Sequence, residues 1–239
     1  MTHSYRNKKF SILGDSISTL SGFSEPYGAE FYNREKKRAA NVFLPEDTWW
    51  GQVVAALGGE VLVNNSFSGS KVIKHPRYDF PSYGCSDERT AALGDGDAVP
   101  DVILVYLGTN DWGTPGITLT PVIPAHEQDP AVFSVAYTLM LQKLHRNYPA
   151  AEIWCFSPAV STYSRDEQFS FPYRKAGRHL QEFCDVIRRC AEAQGCRFID
   201  MYDPAHPYDT IDHFHPNASG MKTLADRALR QICAAIDEP

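Results

Sequence analysis

The run Asp101–Leu107, DVILVYL, constrains this chain more than any other stretch. From Val102 to Leu107 no polar residue interrupts it, whereas a strand with one wet face alternates apolar and polar side chains. A strand buried on both faces belongs in the middle of a parallel sheet with helices above and below. It breaks off at Gly108-Thr109-Asn110-Asp111, so polar groups stand where the strand ends.

Shorter segments repeat that plan. Phe10, Ile12 and Leu13 predict a first strand closed by Gly14-Asp15-Ser16. A helix capped by Asp47 or Thr48 follows through Leu57 and stops at Gly58-Gly59. Glu60–Asn65 predicts the second strand, ending in the glycine-containing turn Ser66–Ser70. Further helices are expected from Ser86 or Asp87 to Leu93, from Asp129-Pro130 to Leu144, over Pro172–Gln194, and from about Asn217 to Ile236. Glu152–Phe156 and Cys196–Met201 supply the fourth and fifth strands. Stretches 17–46, 112–128 and 157–171 have little periodicity and read as long loops. Because strands and helices alternate and crossovers are right-handed, the expected fold is α/β. It is one three-layer α/β/α domain over residues 1–239, with a five-stranded parallel sheet.

Several function classes fall away on composition. A net charge of -6 is wrong for a phosphate-binding surface, and the one basic run, Arg34–Arg38, contains Glu35 and reads as a solvated loop. Nucleic acid is therefore not an expected partner. No apolar run approaches the roughly 18 residues of a membrane span, and the N-terminus leads directly into a strand, so the expectation is a cytoplasmic protein without membrane contact. The six cysteines form no CxxC pair and are expected as free thiols. Neither GxGxxG after a strand nor GxxxxGK[ST] occurs, and no cofactor is expected.

The polar residues at strand ends carry the chemistry. Ser16 follows the first strand, where an open α/β sheet places its ligand crevice, although serine is equally a common helix cap. Near the C-terminus, Asp209–Asn217 reads DTIDHFHPN, with Asp212 three residues before His215. A carboxylate at that spacing can hold the imidazole Nδ1 proton and leave Nε2 free as a base for a serine. Gly69 can offer a backbone N–H and Asn110 a side-chain amide to a developing oxyanion, with the Ser16 N–H as a third donor. Taken singly, Asn110-Asp111 reads as an Asx turn, Gly69 as a bulge glycine and His215 as a surface histidine.

Together the four blocks, Gly14-Asp15-Ser16, Gly69, Gly108-Thr109-Asn110-Asp111 and Asp212 with His215, resemble the SGNH hydrolases, also called the GDSL esterase superfamily. Ile17 stands where the family name has leucine, a conservative departure. The resemblance implies a flavodoxin-like SGNH hydrolase fold, Ser16 as nucleophile, His215 and Asp212 completing a triad, and an oxyanion hole of Ser16, Gly69 and Asn110. It implies a small-molecule ester as the partner.

Two alternatives stand beside this reading. Asp203, His206, Asp209, Asp212, His213 and His215 crowd one segment and are candidate zinc or manganese ligands for a metal-dependent hydrolase, though Pro204, Pro207 and Pro216 break the segment and no HExxH occurs. Within the family, a lysophospholipase- or thioesterase-like acyl hydrolase is the second. The three loops carry Tyr27, Phe31, Tyr32, Trp112, Tyr163, Phe169, Phe171 and Tyr173 among polar residues, without an aliphatic run to line an acyl channel. Rings mixed with polar groups suit a short acyl group, acetyl foremost, on a small polar or carbohydrate alcohol, with Asp15, Trp112 and Tyr163 as candidate substrate contacts.

Overall fold

Five parallel strands form the sheet: β1 (Lys9–Gly14), β2 (Glu60–Ser66), β3 (Val102–Tyr106), β4 (Glu152–Phe156) and β5 (Arg197–Ile199). The computed structural model describes residues 5–24, 29–74, 83–120 and 129–237. The strands lie side by side in the order β2-β1-β3-β4-β5, the flavodoxin-like arrangement. In such a sheet the chain leaves β1 toward β2 on one side and returns to β3 on the other, which opens a crevice between the ends of β1 and β3. Register brings those ends level, because Gly14 faces Ser66 on β2 and Tyr106 on β3.

β3 behaves as its sequence requires. Val102, Leu104 and Tyr106 enter one core layer, and Ile103 and Val105 the other. The first layer is covered by α2 (Trp49–Ala56), bringing Trp49, Trp50 and Val53, and by α7 (Ala218–Asp237), bringing Met221, Leu224 and Ala228. The second is covered by α5 (Phe133–Asn147), through Tyr137, Met140 and Leu144, and by α6 (Leu180–Ala193), through Phe183 and Ile187. Full burial of each such large side chain contributes about 1.5–3 kcal/mol. Among the described residues all six cysteines are free thiols, and no helix is long and apolar enough to cross a membrane.

Local chemistry moves several boundaries from where periodicity put them. Within the stretch expected as a loop, Arg34–Ala40 is helical; the Asn33 side chain accepts from the N–H groups of Glu35 and Lys36, and Asn41 closes the turn at φ 56°. The helix expected from Pro172 starts only at Leu180. Arg174–Lys175 and Arg178–His179 instead form a hairpin whose turn residues, Ala176 and Gly177, take positive φ. His179 then caps α6 by accepting from Gln181 N–H, while Glu182 accepts from His179 N–H. Asp129 accepts from Ala131 N–H in a turn, and α5 begins four residues later at Phe133. Ser161–Thr162 leaves the third loop to pair with Tyr208–Asp209. Residues 121–128 of the second loop and Tyr27 of the first lie outside the described residues.

Candidate functional site

Ser16 owes its position to the way β1 ends. A side chain at Gly14 would come within 2.7 Å of Ser18 Cβ and Ser66 Oγ, so only glycine lets the chain turn back across β2 at this point. Asp15 caps the following 3₁₀ turn, Ser16–Ser18, by accepting from Ile17 N–H at 3.0 Å. Trp50 Nε1 and Asn64 Nδ2 both donate to the Ser18 carbonyl, at 2.9 and 2.8 Å. The turn is thereby bound to the core, with Ser16 at the sheet's carboxyl edge.

His215 reaches it from the other end of the chain. Its Nε2 lies 2.9 Å from Ser16 Oγ, and its Nδ1 lies 3.0 and 2.9 Å from the two carboxylate oxygens of Asp212. Asp212 also accepts from the N–H groups of His215, at 2.8 Å, and Phe214. Burial raises the Asp212 carboxyl, but the His215 hydrogen bond, the imidazole charge and these N–H groups outweigh burial and hold it below the usual carboxylate range. Phe31 stacks flat on the imidazole, with centroids 3.4 Å apart. Three side chains expected to act together are thus hydrogen-bonded in series.

The oxyanion candidates arrive on the neighbouring strand ends. Asn110 lies on the short helix α4 (Thr109–Trp112) after β3, and its Nδ2 donates to Ser70 O at 3.0 Å, with Asp15 Oδ2 at 3.4 Å. Gly69 holds φ +79°, and a Cβ there would meet nothing within 4 Å. Asp111, fully buried, anchors the same loop by accepting from Val72 and Ile73 N–H groups.

Ser16, His215 and Asn110 open on a cleft of about 280 Å³, shared with Lys71, Thr109, Trp112, Thr114, Lys175 and Phe214. A larger hollow of about 950 Å³ follows the edge strand β2 past Phe23, Val63 and Phe67 and includes none of the first three. Trp112 is therefore at the cleft as expected, its Nε1 donating to Arg178 O and its ring stacked on Phe171. Tyr163 is not among the cleft-lining residues. Pairing of Ser161–Thr162 with Tyr208–Asp209, and the bonds from Ser164 to Asp209, carry that strand outward and leave Tyr163 edge-on to His213. Asp15 is 2 % exposed and lies beneath Ser16, so its carboxylate meets protein rather than a ligand in the cleft. Of the other loop rings, Tyr32 is buried with its hydroxyl donating to Pro216 O, and Phe169 packs on His213.

A model of the GDSL-like lipase/acylhydrolase family matches residues 8–164, about two thirds of the chain. The chain belongs to that family. Among solved structures, a candidate GDSL-like lipase from Bacteroides uniformis is 27% identical over 95% of this chain and 96% of its own, with a TM-score of 0.68. A second from Bacteroides ovatus is 23% identical over 96% of this chain and 99% of its own, at 0.69. Est24, a carbohydrate acetylesterase from Sinorhizobium meliloti, is 15% identical, covers 96% of this chain and 100% of its own, and gives 0.62. Comparison with curated proteins finds no match. Membership of the GDSL-like lipase/acylhydrolase family makes this chain an ester hydrolase.

The metal-ligand alternative disperses in this GDSL-like fold. Asp203 pairs with His206, Asp209 accepts from Ser164 and Asn217, and Asp212 faces His215. Among the described residues no three His, Cys, Asp or Glu side chains are grouped to hold an ion.

Arg89 is buried at this edge, although its local sequence gives no sign of it. It sits on α3 (Asp87–Ala91) in the string DERTA, which looks like solvated surface. Its guanidinium instead donates to Gly14 O at 3.1 Å, Asn65 O at 2.5 Å, Asn65 Oδ1 at 2.9 Å and Ser70 Oγ. One cation therefore ties the ends of β1 and β2 to the loop that carries Gly69.

Burial pushes the Asp15 carboxyl up to about 7, helped by Asp111 and opposed by Ile17 N–H and Arg89. Between the unfolded value near 3.9 and 7, the folded chain holds a proton that the unfolded chain has released. The stabilisation is complete below about pH 4 and is lost as pH rises toward 7. Asp15→Asn, which keeps an acceptor for Ile17 N–H but cannot ionise, should gain stability relative to wild type on the order of 1–4 kcal/mol more at pH 8 than at pH 4. Thermal melts of both proteins at the two pH values test this, and an equal Tm difference at both would contradict it.

Proposed function

We propose that this ester hydrolase cleaves short-chain acyl esters, acetyl esters foremost, of a small polar or carbohydrate alcohol, with Ser16 as nucleophile. The observation that carries the reading is the unbroken path from Ser16 Oγ through His215 Nε2 and Nδ1 to Asp212. Asp212 holds the Nδ1 proton, so Nε2 presents its lone pair to the hydroxyl. As Oγ attacks the ester carbonyl its proton passes to Nε2, and the carbonyl oxygen becomes an oxyanion. The donors for it are the N–H groups of Ser16 and Gly69 and the side-chain amide of Asn110, whose Nδ2 at rest donates to Ser70 O at 3.0 Å and, more weakly, to Asp15 Oδ2 at 3.4 Å, the bond the oxyanion would replace. When the intermediate collapses, Nε2 returns the proton to the departing alcohol. Water then repeats the sequence on the acyl-serine, releasing the acid and restoring Ser16.

Cleft size and chemistry support the short acyl group. Thr109, Asn110, Thr114, Lys71 and Lys175 supply polar walls to a volume of about 280 Å³. A long chain gains about 0.8 kcal/mol per methylene only where it is buried against apolar groups. The fold shared with Est24, a carbohydrate acetylesterase, fits an acetylated sugar.

Reaction with an aryl organophosphate followed by peptide mass spectrometry should find the phosphoryl group on Ser16 and activity lost in proportion. On p-nitrophenyl esters from acetate to palmitate, kcat/KM should fall as the chain lengthens. Label on another residue sinks the nucleophile assignment. A rate that climbs beyond eight carbons would favour the lysophospholipase-like alternative.

A further inference from the structure

We infer that Lys175 makes this cleft select esters whose alcohol portion carries a negative group, a carboxylate or a phosphate. The inference rests on the esterase reading and narrows its substrate class.

Two ammonium groups line the cleft with Ser16 and His215, those of Lys71 and Lys175, in a chain whose net charge is -6. Neither has an Asp or Glu ion-pair partner among the described residues. Of the carboxylates nearby, Asp212 is engaged with His215 and Asp15, beneath the floor, with Ile17 N–H, while Asp111, bonded to Val72 and Ile73 N–H, feels the charge of Lys71 but not that of Lys175. Lys175 stands 4.0 Å from the centroid of the Phe214 ring and 5.5 Å from that of Trp112, so aromatic faces rather than counter-ions hold it. Burial lowers its proton affinity, and no neighbouring carboxylate restores it. A cation kept half-dry without a counter-ion is poised to take one from a ligand.

The position of Lys175 decides which half of the ester it meets. His215 Nε2 must hand its proton to the departing oxygen, so the alcohol lies against the His215 side of the cleft. Phe214 adjoins His215, and the Lys175 ammonium lies over its ring. Lys71 follows Gly69 and Ser70 and belongs to the oxyanion side, where it adds positive potential without addressing the alcohol. The hairpin that carries Lys175 also shapes the cleft, because Trp112 Nε1 donates to Arg178 O just past its turn.

The test uses matched substrates: a monoacetylated methyl glucuronoside against its carboxamide, and acetylated glucose 6-phosphate against acetylated glucose. Wild-type enzyme should favour each anion by about fivefold or more in kcat/KM at low ionic strength, an advantage that salt erodes. Lys175→Gln should bring the ratio close to one, and Lys175→Arg should keep it. Preference for one anion alone assigns the group as carboxylate or phosphate. A ratio of one for both pairs overturns the inference, as does a ratio that survives Lys175→Gln and disappears in Lys71→Gln. Hydrolysis of p-nitrophenyl acetate that depends on Ser16 but shows no charge preference removes this inference alone. Absence of any Ser16-dependent hydrolysis removes the esterase reading and this inference with it.

Discussion

Ser16→Ala should lower kcat/KM for p-nitrophenyl acetate by about 10⁴- to 10⁶-fold while the fold survives. Loss on that scale follows from the proposed mechanism, in which the hydroxyl is both attacking atom and proton source, and His215 Nε2 then faces no oxygen at 2.9 Å. On the same proposal, what remains is hydrolysis by water near the proposed oxyanion donors, which removal of a triad member typically leaves in place. Little structure depends on Oγ. The backbone of residue 16 stays fixed because Thr19 Oγ1 donates to its carbonyl at 2.9 Å and Asp15 still caps the turn. A stability change within about 1 kcal/mol is expected for so small a truncation. Initial rates and thermal melts on the same preparation are the measurement, and wild-type turnover in a folded variant would falsify the nucleophile assignment.

The features legible in the sequence are those set by neighbours along the chain. Val102–Tyr106 declared a doubly covered strand because every position is apolar, and the residues beyond it, Asn110 and Asp111, were placed by that strand's end. Ser16 and Gly69 followed by the same rule, since a parallel sheet puts all its carboxyl ends on one edge. Asp212 and His215 were legible through their spacing. Residues whose role is set by distant partners were not. Nothing in REKKRAA signals burial or periodicity, so α1 (Arg34–Ala40) is announced only by its cap, Asn33. Leu180, Phe183 and Ile187 give a clean helical stripe, which masked the turn at Ala176-Gly177 just before it. Arg89 reads as surface charge and is 3 % exposed, because the carbonyls it meets come from two other strand ends. Phe31 on His215 and Lys175 over Phe214 are tertiary contacts that no local pattern encodes.

The arrangement around Asn110 sets the second large effect. Asn110→Ala should reduce kcat by about 10²- to 10³-fold and change KM only a few-fold, the pattern left by removing one donor that acts on the transition state. Its position is fixed from two sides. Asp111, the next residue, is locked by Val72 and Ile73 N–H groups, and Nδ2 donates to Ser70 O at 3.0 Å and, over a longer 3.4 Å, to Asp15 Oδ2, the proton on the longer bond being the one an oxyanion would draw away. A ground-state ester oxygen is a weak acceptor and gains little from that proton, whereas the oxyanion formed on attack gains a charge-assisted bond in a site partly shielded from water. Alanine also frees Ser70 O, so the loop carrying Gly69 is tested at the same time. Asn110→Asp tests the charge instead: it keeps the volume, leaves Ser70 O without its donor just as alanine does, replaces the donor by an acceptor, and sets a second carboxylate near Asp15. It should be at least as impaired as alanine at pH 8, where its charge opposes the oxyanion. Steady-state kinetics on p-nitrophenyl acetate decide the matter, and a deficit confined to KM in Asn110→Ala would show a residue that binds the ester without stabilising its transition state.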